Sequence, residues 1–248
     1  MIKVEDLYKS FDGLEVLRGA SFEVAKGEII ALIGMSGYGK SVLLKHVAGL
    51  IRPDRGRVLI DGSDMCCMRR KELEQMRSRF GFLFQNGALF DSLTVFENVA
   101  FPLREKTRLN EEEIRKRVME ILDQVGVSGA ENKYPAQISG GMIRRAALAR
   151  SLVRNPEIMF FDEPTTGLDP IIARAISNLI DSIHKRFRFT GIFVTHEIPM
   201  AFEIVQNVAM LHEGKILTVQ SPQEMLSSKD PIIQQFITGC VEGPIQYH

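Results

Sequence analysis

Glu28-Ile29-Ile30-Ala31-Leu32-Ile33-Gly34-Met35-Ser36-Gly37-Tyr38-Gly39-Lys40-Ser41 is the stretch on which the fold turns. Its first half is a short apolar run, with the length of a strand buried on both faces. Its second half sets three glycines ahead of a lysine and a serine, the pattern of a phosphate-binding loop. The reason for the pattern is backbone geometry. Glycines let the chain turn tightly enough for successive N–H groups to converge on a phosphate, and the helix that follows adds the positive end of its dipole. Val42, Leu43, Leu44, Val47 and Leu50 supply that helix with an apolar face. Gly34, Met35, Ser36, Gly37, Tyr38, Gly39, Lys40 and Ser41 are therefore the expected cradle. Lys40 is expected to hold the β- and γ-phosphates and the Ser41 hydroxyl to coordinate Mg²⁺. A glycine-rich turn beside a surface lysine would share these letters without the strand before and the helix after.

A second acidic site narrows the chemistry. Asp162-Glu163 closes the apolar run Ile158-Met159-Phe160-Phe161, and ligands of open α/β sheets bind at the carboxyl ends of the strands. Asp162 is expected to reach the Mg²⁺ shell. Glu163 is expected to polarise a water aimed at the γ-phosphate. Taken alone, the pair could be a solvated acidic turn before Pro164; with the phosphate loop present, the catalytic reading is preferred.

Outward from these two sites the chain alternates strands and helices. Ile2 to Leu7 and Val16 to Val24 read as strands around an Asp12-Gly13 turn, Arg57 to Ile60 turns at Asp61-Gly62, and Phe80 to Phe84 is a further strand. From about Thr94 to Arg154 the periodicity is helical. Asp169-Pro170 opens a helix with Ile172, Ala175, Ile176, Leu179, Ile180 and Ile183 on one face. Thr190 to Thr195 is the next strand, Glu213-Gly214 a hairpin turn, Ser221-Pro222-Gln223-Glu224 a capping box, and Asp230-Pro231 the start of a last helix that stops near Gly239. The expected organisation is one domain over 1–248, divided into a β subdomain and loop core (1–87), a helical insert (88–155), the rest of the core (156–220), and C-terminal helices and tail (221–248).

Composition sets the outer bounds. The chain has 248 residues, 45% of them hydrophobic, with 20 glycines and 10 prolines, which excludes disordered and fibrous classes. Lys and Arg total 31, as do Asp and Glu, so the basic footprint of a dedicated nucleic-acid binder is missing. Cys66, Cys67 and Cys240 cannot build a disulfide framework, and a reducing compartment is expected. MIKVEDLYKSF has neither the basic start nor the apolar stretch of a signal peptide. No run approaches the ~18–20 apolar residues of a membrane span, so any membrane contact is expected to be peripheral.

Ile138-Ser139-Gly140-Gly141-Met142, just ahead of Arg144 and Arg145, resembles the signature motif of the ATP-binding-cassette (ABC) ATPases. The remaining family elements occur in the family's order. By this resemblance, Phe11 stacks on adenine, Gln85 is the Q-loop glutamine at Mg²⁺ and the γ-phosphate, Thr166-Gly167-Leu168-Asp169 is the D-loop, and His196 is the switch histidine. The implied fold is α/β: a P-loop NTPase core with a mostly parallel sheet, an N-terminal antiparallel β subdomain and an inserted α-helical subdomain. The implied activity is ATP hydrolysis by Glu163, His196, Lys40 and Gln85, with Ser41, Gln85 and Asp162 on the metal. Ser139 can cap a helix whose first turn, Gly140-Gly141, exposes N–H groups without side chains in the way, which makes an anion site. The family implies that this site completes the nucleotide site of a second copy, two ATP molecules lying between the copies of a head-to-tail dimer. Ile138 replaces the usual Leu, Met142 the usual Gln, and Tyr38 is an uncommon loop residue; none of these removes a phosphate donor.

Met142 with Arg144-Arg145 resembles the Mla/Mce subgroup of that family. So do Phe84 to Phe90, Phe101-Pro102-Leu103-Arg104, Phe236 to Gly239 and Gly243 to Ile245. The resemblance implies a peripheral subunit on the cytoplasmic face of a bacterial inner membrane, energising movement of phospholipid or another hydrophobic lipid between inner and outer membranes, with an ABC ATPase for another solute as the alternative. Its implied partners are membrane permease subunits, a periplasmic Mce-type lipid-binding protein and, in some members of the subgroup, a small cytoplasmic accessory subunit, with no nucleic acid. Gln85 would couple nucleotide to permease beside a groove lined by Ala88-Leu89-Phe90 and Leu93-Thr94-Val95-Phe96, each of whose side chains could equally belong to an ordinary core segment. The tail from Val241 to His248 would contact the partner ATPase. His46, His184, His212 and His248 show no ligand spacing and read as packing or surface residues. Arg69-Arg70-Lys71 and Lys185-Arg186 read as solvated faces. A DNA-maintenance or translation ATPase of the same family would carry coiled coils, tandem cassettes or basic inserts. A nucleotide sensor without turnover is disfavoured by the presence of both Glu163 and His196.

Overall fold

The computed structural model describes residues 1–246. The chain forms two compact units, one from Met1–Arg77 together with the chain from Thr190 onward, the other from Ser78–Phe189. The first unit opens with β1 (Ile2–Phe11) and β2 (Leu14–Val24), an antiparallel pair that ends with Phe11 opposite Leu14. The turn between them needs positive φ at two positions, which Asp12 and Gly13 supply. β3 (Ile29–Ile33) is buried along its whole length and leads through the glycine loop to α1 (Lys40–Val47). β4 (Arg55–Ile60), β5 (Ser63–Asp64) and α2 (Arg70–Arg77) follow. β4 pairs with β1, giving a small antiparallel sheet of order β2-β1-β4-β5. Leu50, expected on the buried helix face, is 47% exposed. α1 ends at Val47, and the chain turns through Gly49 at positive φ before Leu50 is reached.

The second unit contains β6 (Phe80–Leu83), α3 (Val95–Lys106), α4 (Glu111–Gln124), α5 (Gly140–Leu152), β7 (Ile158–Asp162) and α6 (Pro170–Phe187). β6 and β7 run parallel with Leu83 opposite Phe161. α3 and α4 each begin with a capping box, Thr94 with Glu97 and Asn110 with Glu113. In each, a side-chain oxygen accepts from an otherwise orphaned helix N–H.

The chain then returns to the first unit as β8 (Thr190–Val194), α7 (Ile198–Phe202), β9 (Asn207–His212), β10 (Lys215–Gln220), α8 (Pro222–Ser227) and α9 (Pro231–Thr238). β3 lies between β8 and β9 and is parallel to both; β10 is antiparallel to β9. A strand paired on both edges and covered on both faces explains why Ile29 to Ile33 carries no polar residue. Among the described residues no helix is long and apolar enough to cross a membrane. His46 and His184 are buried, His46 against the Ile51 carbonyl at 2.9 Å and His184 against the Phe189 ring, as packing residues. Burial holds the His46 imidazole below its ordinary pKa. His248, grouped with them in the sequence, lies outside the described residues.

The C-terminal segment is pinned by one side chain. Gln235, buried in α9, accepts from Ile245 N–H at 2.7 Å and donates through Nε2 to the Ile245 carbonyl at 3.1 Å. Its amide thus substitutes for a neighbouring strand. Gln235→Ala is expected to cost about 1–2 kcal/mol, a melting point lower by roughly 2–8 °C for a chain of this size. A thermal melt measures it, and limited proteolysis should cut faster beyond Cys240.

Candidate functional site

In the first unit the site is built where the parallel strands end. Leu32 pairs with Val194 and Ile33 with Met210, so the glycine loop after β3 and the segment Thr195-His196 after β8 leave from the same edge. Thr195 N–H donates to the Leu32 carbonyl at that edge, and the Thr195 hydroxyl accepts from Glu197 N–H at 2.9 Å. His196 itself is exposed. The loop conformation demands glycine at two places in particular. A Cβ on Gly34 would lie 2.2 Å from the Leu211 carbonyl oxygen, and one on Gly39, which is left-handed and precedes α1, would lie 2.8 Å from Val16. Lys40 is only 5% exposed, and its ammonium donates to the carbonyls of Gly34 (2.7 Å) and Met35 (3.0 Å). The lysine is thereby folded over its own loop, where a triphosphate would be bound. Tyr38 rests on His212 with ring centroids 5.6 Å apart. Beside it is a cavity of about 270 Å³ lined by Leu14, Val16, Arg18, Tyr38, Glu213 and Gly214. Phe11, 40% exposed, stands opposite Leu14 at the end of the β1–β2 hairpin, with the Lys9 ammonium over its ring 5.3 Å from the centroid.

The second unit has its own strand-end cluster. β6 and β7 are parallel neighbours, so Gln85 and the pair Asp162-Glu163 leave at a common end. Gln85 is exposed; Asp162 and Glu163 are half-buried. Glu163 has φ +49°, uncommon for a residue with a side chain and a store of backbone strain. The Thr166 hydroxyl donates to its Oε2 at 3.1 Å. Asp169 caps α6 by accepting from the N–H groups of Ile171 and Ile172. Ser139 caps α5, its hydroxyl accepting from Met142 N–H at 3.3 Å, with Ser139 and Gly140 exposed. Gly141 is confined by α6: a Cβ there would meet Ile172 Cγ2 at 2.8 Å.

The arginines of this helix serve as ties. Arg144 donates to the Thr166 carbonyl (3.2 Å), Arg145 to that of Val125 (3.0 Å) and Arg150 to that of Gly87 (2.9 Å). Burial lowers the guanidinium pKa of Arg144 and of Arg150. Arg150 also lies over the Phe90 ring, which packs against Phe101; both rings are exposed. Val95 was expected to line a groove with Phe90. It is instead fully buried in the first turn of α3, an ordinary core position. The sequence marks Thr166 only as the first residue of the D-loop resemblance, with no contact to Glu163, and does not mark Val16 or Arg18 as site residues at all. Val16 and Arg18 sit in an ordinary strand pattern, and only tertiary placement marks them.

The donors named for a metal are a hydroxyl, an amide and a carboxylate, all hard oxygen ligands. This set suits a Mg²⁺ that keeps waters and shares the oxygens of a bound phosphate.

Comparison with known proteins gives the family and the fold. The ABC transporter family model matches residues 17–166, more than half of the chain. The chain is 45% identical over 244 residues to the "Probable ribonucleotide transport ATP-binding protein mkl" of Mycobacterium leprae (strain TN), covering 98% of this chain and 70% of that one. It is 38% identical over 247 residues to the intermembrane phospholipid transport system ATP-binding protein MlaF of Haemophilus influenzae, covering 100% and 94%. In structure it is similar to the ATP-binding cassette MJ0796 in a dimeric post-hydrolysis state with ADP and Pi, with a TM-score of 0.81, 31% identity, and coverage of 90% and 99%. A phosphate loop, a strand-end carboxylate pair and a Ser-Gly-Gly helix start, in an α/β chain with an antiparallel N-terminal sheet and a helical insert, have one source: the chain belongs to the ABC transporter family and is an MlaF-like ABC ATPase.

Proposed function

We propose that the chain hydrolyses ATP to energise phospholipid transport between the inner and outer membranes of a bacterial envelope, as a peripheral subunit on the cytoplasmic face of the inner membrane. The observation that carries this reading is the identity to MlaF along the whole chain, since that protein's name states intermembrane phospholipid transport. In this reading Gly34 to Ser41 hold the triphosphate, with the Lys40 ammonium moving from its loop carbonyls to phosphate oxygens, and Phe11 stacks on the adenine. Ser41, Gln85 and Asp162 hold Mg²⁺, which when bound neutralises charge on the phosphate oxygens. Glu163 accepts the proton of the attacking water, and His196 stabilises the departing γ-phosphate. Ser139, Gly140 and Gly141 complete the site of a second copy. The helical segment 88–155 meets the permease, and Gln85 reports the nucleotide to it. The complex includes permease subunits, a periplasmic Mce-type protein and a small cytoplasmic accessory subunit.

A second reading, an ABC ATPase for another solute, is favoured by the name of mkl, which states ribonucleotide transport. Purification of the native complex in detergent separates the two. Co-purifying permease, phospholipid identified by mass spectrometry, and phosphate release stimulated by phospholipid vesicles are expected. A solute-binding protein for a nucleotide, amino acid or metal in that complex would overturn the lipid assignment. Binding to DNA or ribosomes at physiological salt would move the chain out of transport.

A further inference from the structure

We propose that Arg144 and Thr166 form a clamp that positions the Glu163 carboxylate and ties it to the signature helix α5. Both are positioning residues; neither is expected to touch nucleotide. The inference rests on Glu163 being the hydrolytic base.

The clamp is a chain of three contacts within one compact unit. Ser139 caps α5. Arg144, in the second turn of that helix, donates from Nη2 to the Thr166 carbonyl at 3.2 Å. Thr166 in turn donates its hydroxyl to Glu163 Oε2 at 3.1 Å and its backbone N–H to the Glu163 carbonyl at 3.3 Å.

Two features make this more than incidental packing. Arg144 is 7% exposed, and its Nε is buried with no hydrogen-bond partner among the described residues. Burying a guanidinium for one carbonyl contact is a poor way to stabilise a helix, and an apolar residue of similar volume would fill the space at lower cost. Burial also pulls the guanidinium pKa down. The second feature is the other end of the chain of contacts. Glu163 is held at φ +49°, a conformation that persists only when its surroundings over-determine it. Thr166 supplies part of that determination through two bonds to Glu163, and Arg144 fixes Thr166. The Ser139-capped helix α5 and Glu163 are therefore mechanically linked.

The linkage predicts where the damage falls when it is cut. ATP in the ground state is held by the phosphate loop, so loss of the clamp should lower kcat and leave KM nearly unchanged. The test measures both constants in the full chain, purified with its membrane partners, for Thr166→Val, Thr166→Ser, Arg144→Met, the double variant Arg144→Met/Thr166→Val, and Glu163→Gln. Thr166→Val and Arg144→Met are each expected to lower kcat about tenfold, the scale of one hydrogen bond to a charged group, with KM within about twofold. Thr166→Ser is expected to bring kcat back, because it keeps the hydroxyl. The double variant is expected to be no slower than either single one, because both act through the same contact. If Glu163→Gln is inactive while Thr166→Val turns over normally, the clamp is overturned and the base assignment stands. The clamp is equally overturned if Thr166→Ser is as slow as Thr166→Val, or if only KM moves. If Glu163→Gln turns over normally, the base assignment itself falls. Should Arg144→Met not fold, the Thr166 pair decides the question.

Discussion

Glu163→Gln is expected to lower ATP turnover by about 10²–10³-fold while leaving ATP binding intact. Gln has the shape of Glu, and its amide oxygen can still accept from the Thr166 hydroxyl that Glu163 Oε2 accepts from now. The strained backbone at φ +49° is asked to change in neither case. What is lost is basicity: an amide cannot take the proton of an attacking water. With the phosphate loop untouched, the nucleotide-bound assembly should accumulate, because the step that dissolves it is blocked. Phosphate release and light scattering with and without MgATP measure the two halves of the prediction, and a melt matching wild type shows that the fold is kept. Normal phosphate release from the variant would remove Glu163 from the chemistry.

The parts of this site that the sequence discloses are those written in contiguous residues. The apolar run into Gly34 and the glycines before Lys40 are local demands, and the Leu211 carbonyl 2.2 Å from a hypothetical Gly34 Cβ shows why no other residue would serve there. The caps Ser139, Asp169 and Ser221 are equally local, because each oxygen bonds an N–H two or three residues on. Contacts between distant segments leave no such trace. Arg144 and Thr166 are 22 residues apart, and either could have faced water. The cavity beside Tyr38 draws Val16 from one hairpin and Glu213 from another. α2 was invisible for a different reason: it buries no residue, so it has no apolar stripe for periodicity to detect. Leu50 was misplaced because helical spacing continues on paper past Gly49, where the backbone does not.

Gly141→Asp tests the remaining half of the proposal, that the start of α5 serves the triphosphate of a second copy. An Asp in the first turn of a helix favours the helix itself, since its charge faces the positive end of the dipole. Its Cβ would press on Ile172 Cγ2 at 2.8 Å, a strain that Gly141→Ala shares and thereby controls for. What Asp alone adds is a negative charge where a phosphate is to arrive. Like charges about 4 Å apart repel by about 1 kcal/mol in water and up to about 4 kcal/mol near a protein surface. Turnover should therefore fall by roughly 5- to 10³-fold, with ATP still bound at the chain's own loop. Whose nucleotide is affected follows from a mixture. Lys40→Ala and Gly141→Asp should each be slow as pure proteins. If the helix start serves the neighbouring copy, a mixed pair unites the intact loop of the Gly141→Asp chain with the intact helix start of the Lys40→Ala chain, and one working site reappears. If the helix start serves its own chain, each copy in the mixed pair keeps its own defect and mixing recovers nothing. Phosphate release from the mixture, compared with the mean of the two pure variants, distinguishes the arrangements without any knowledge of the transported molecule.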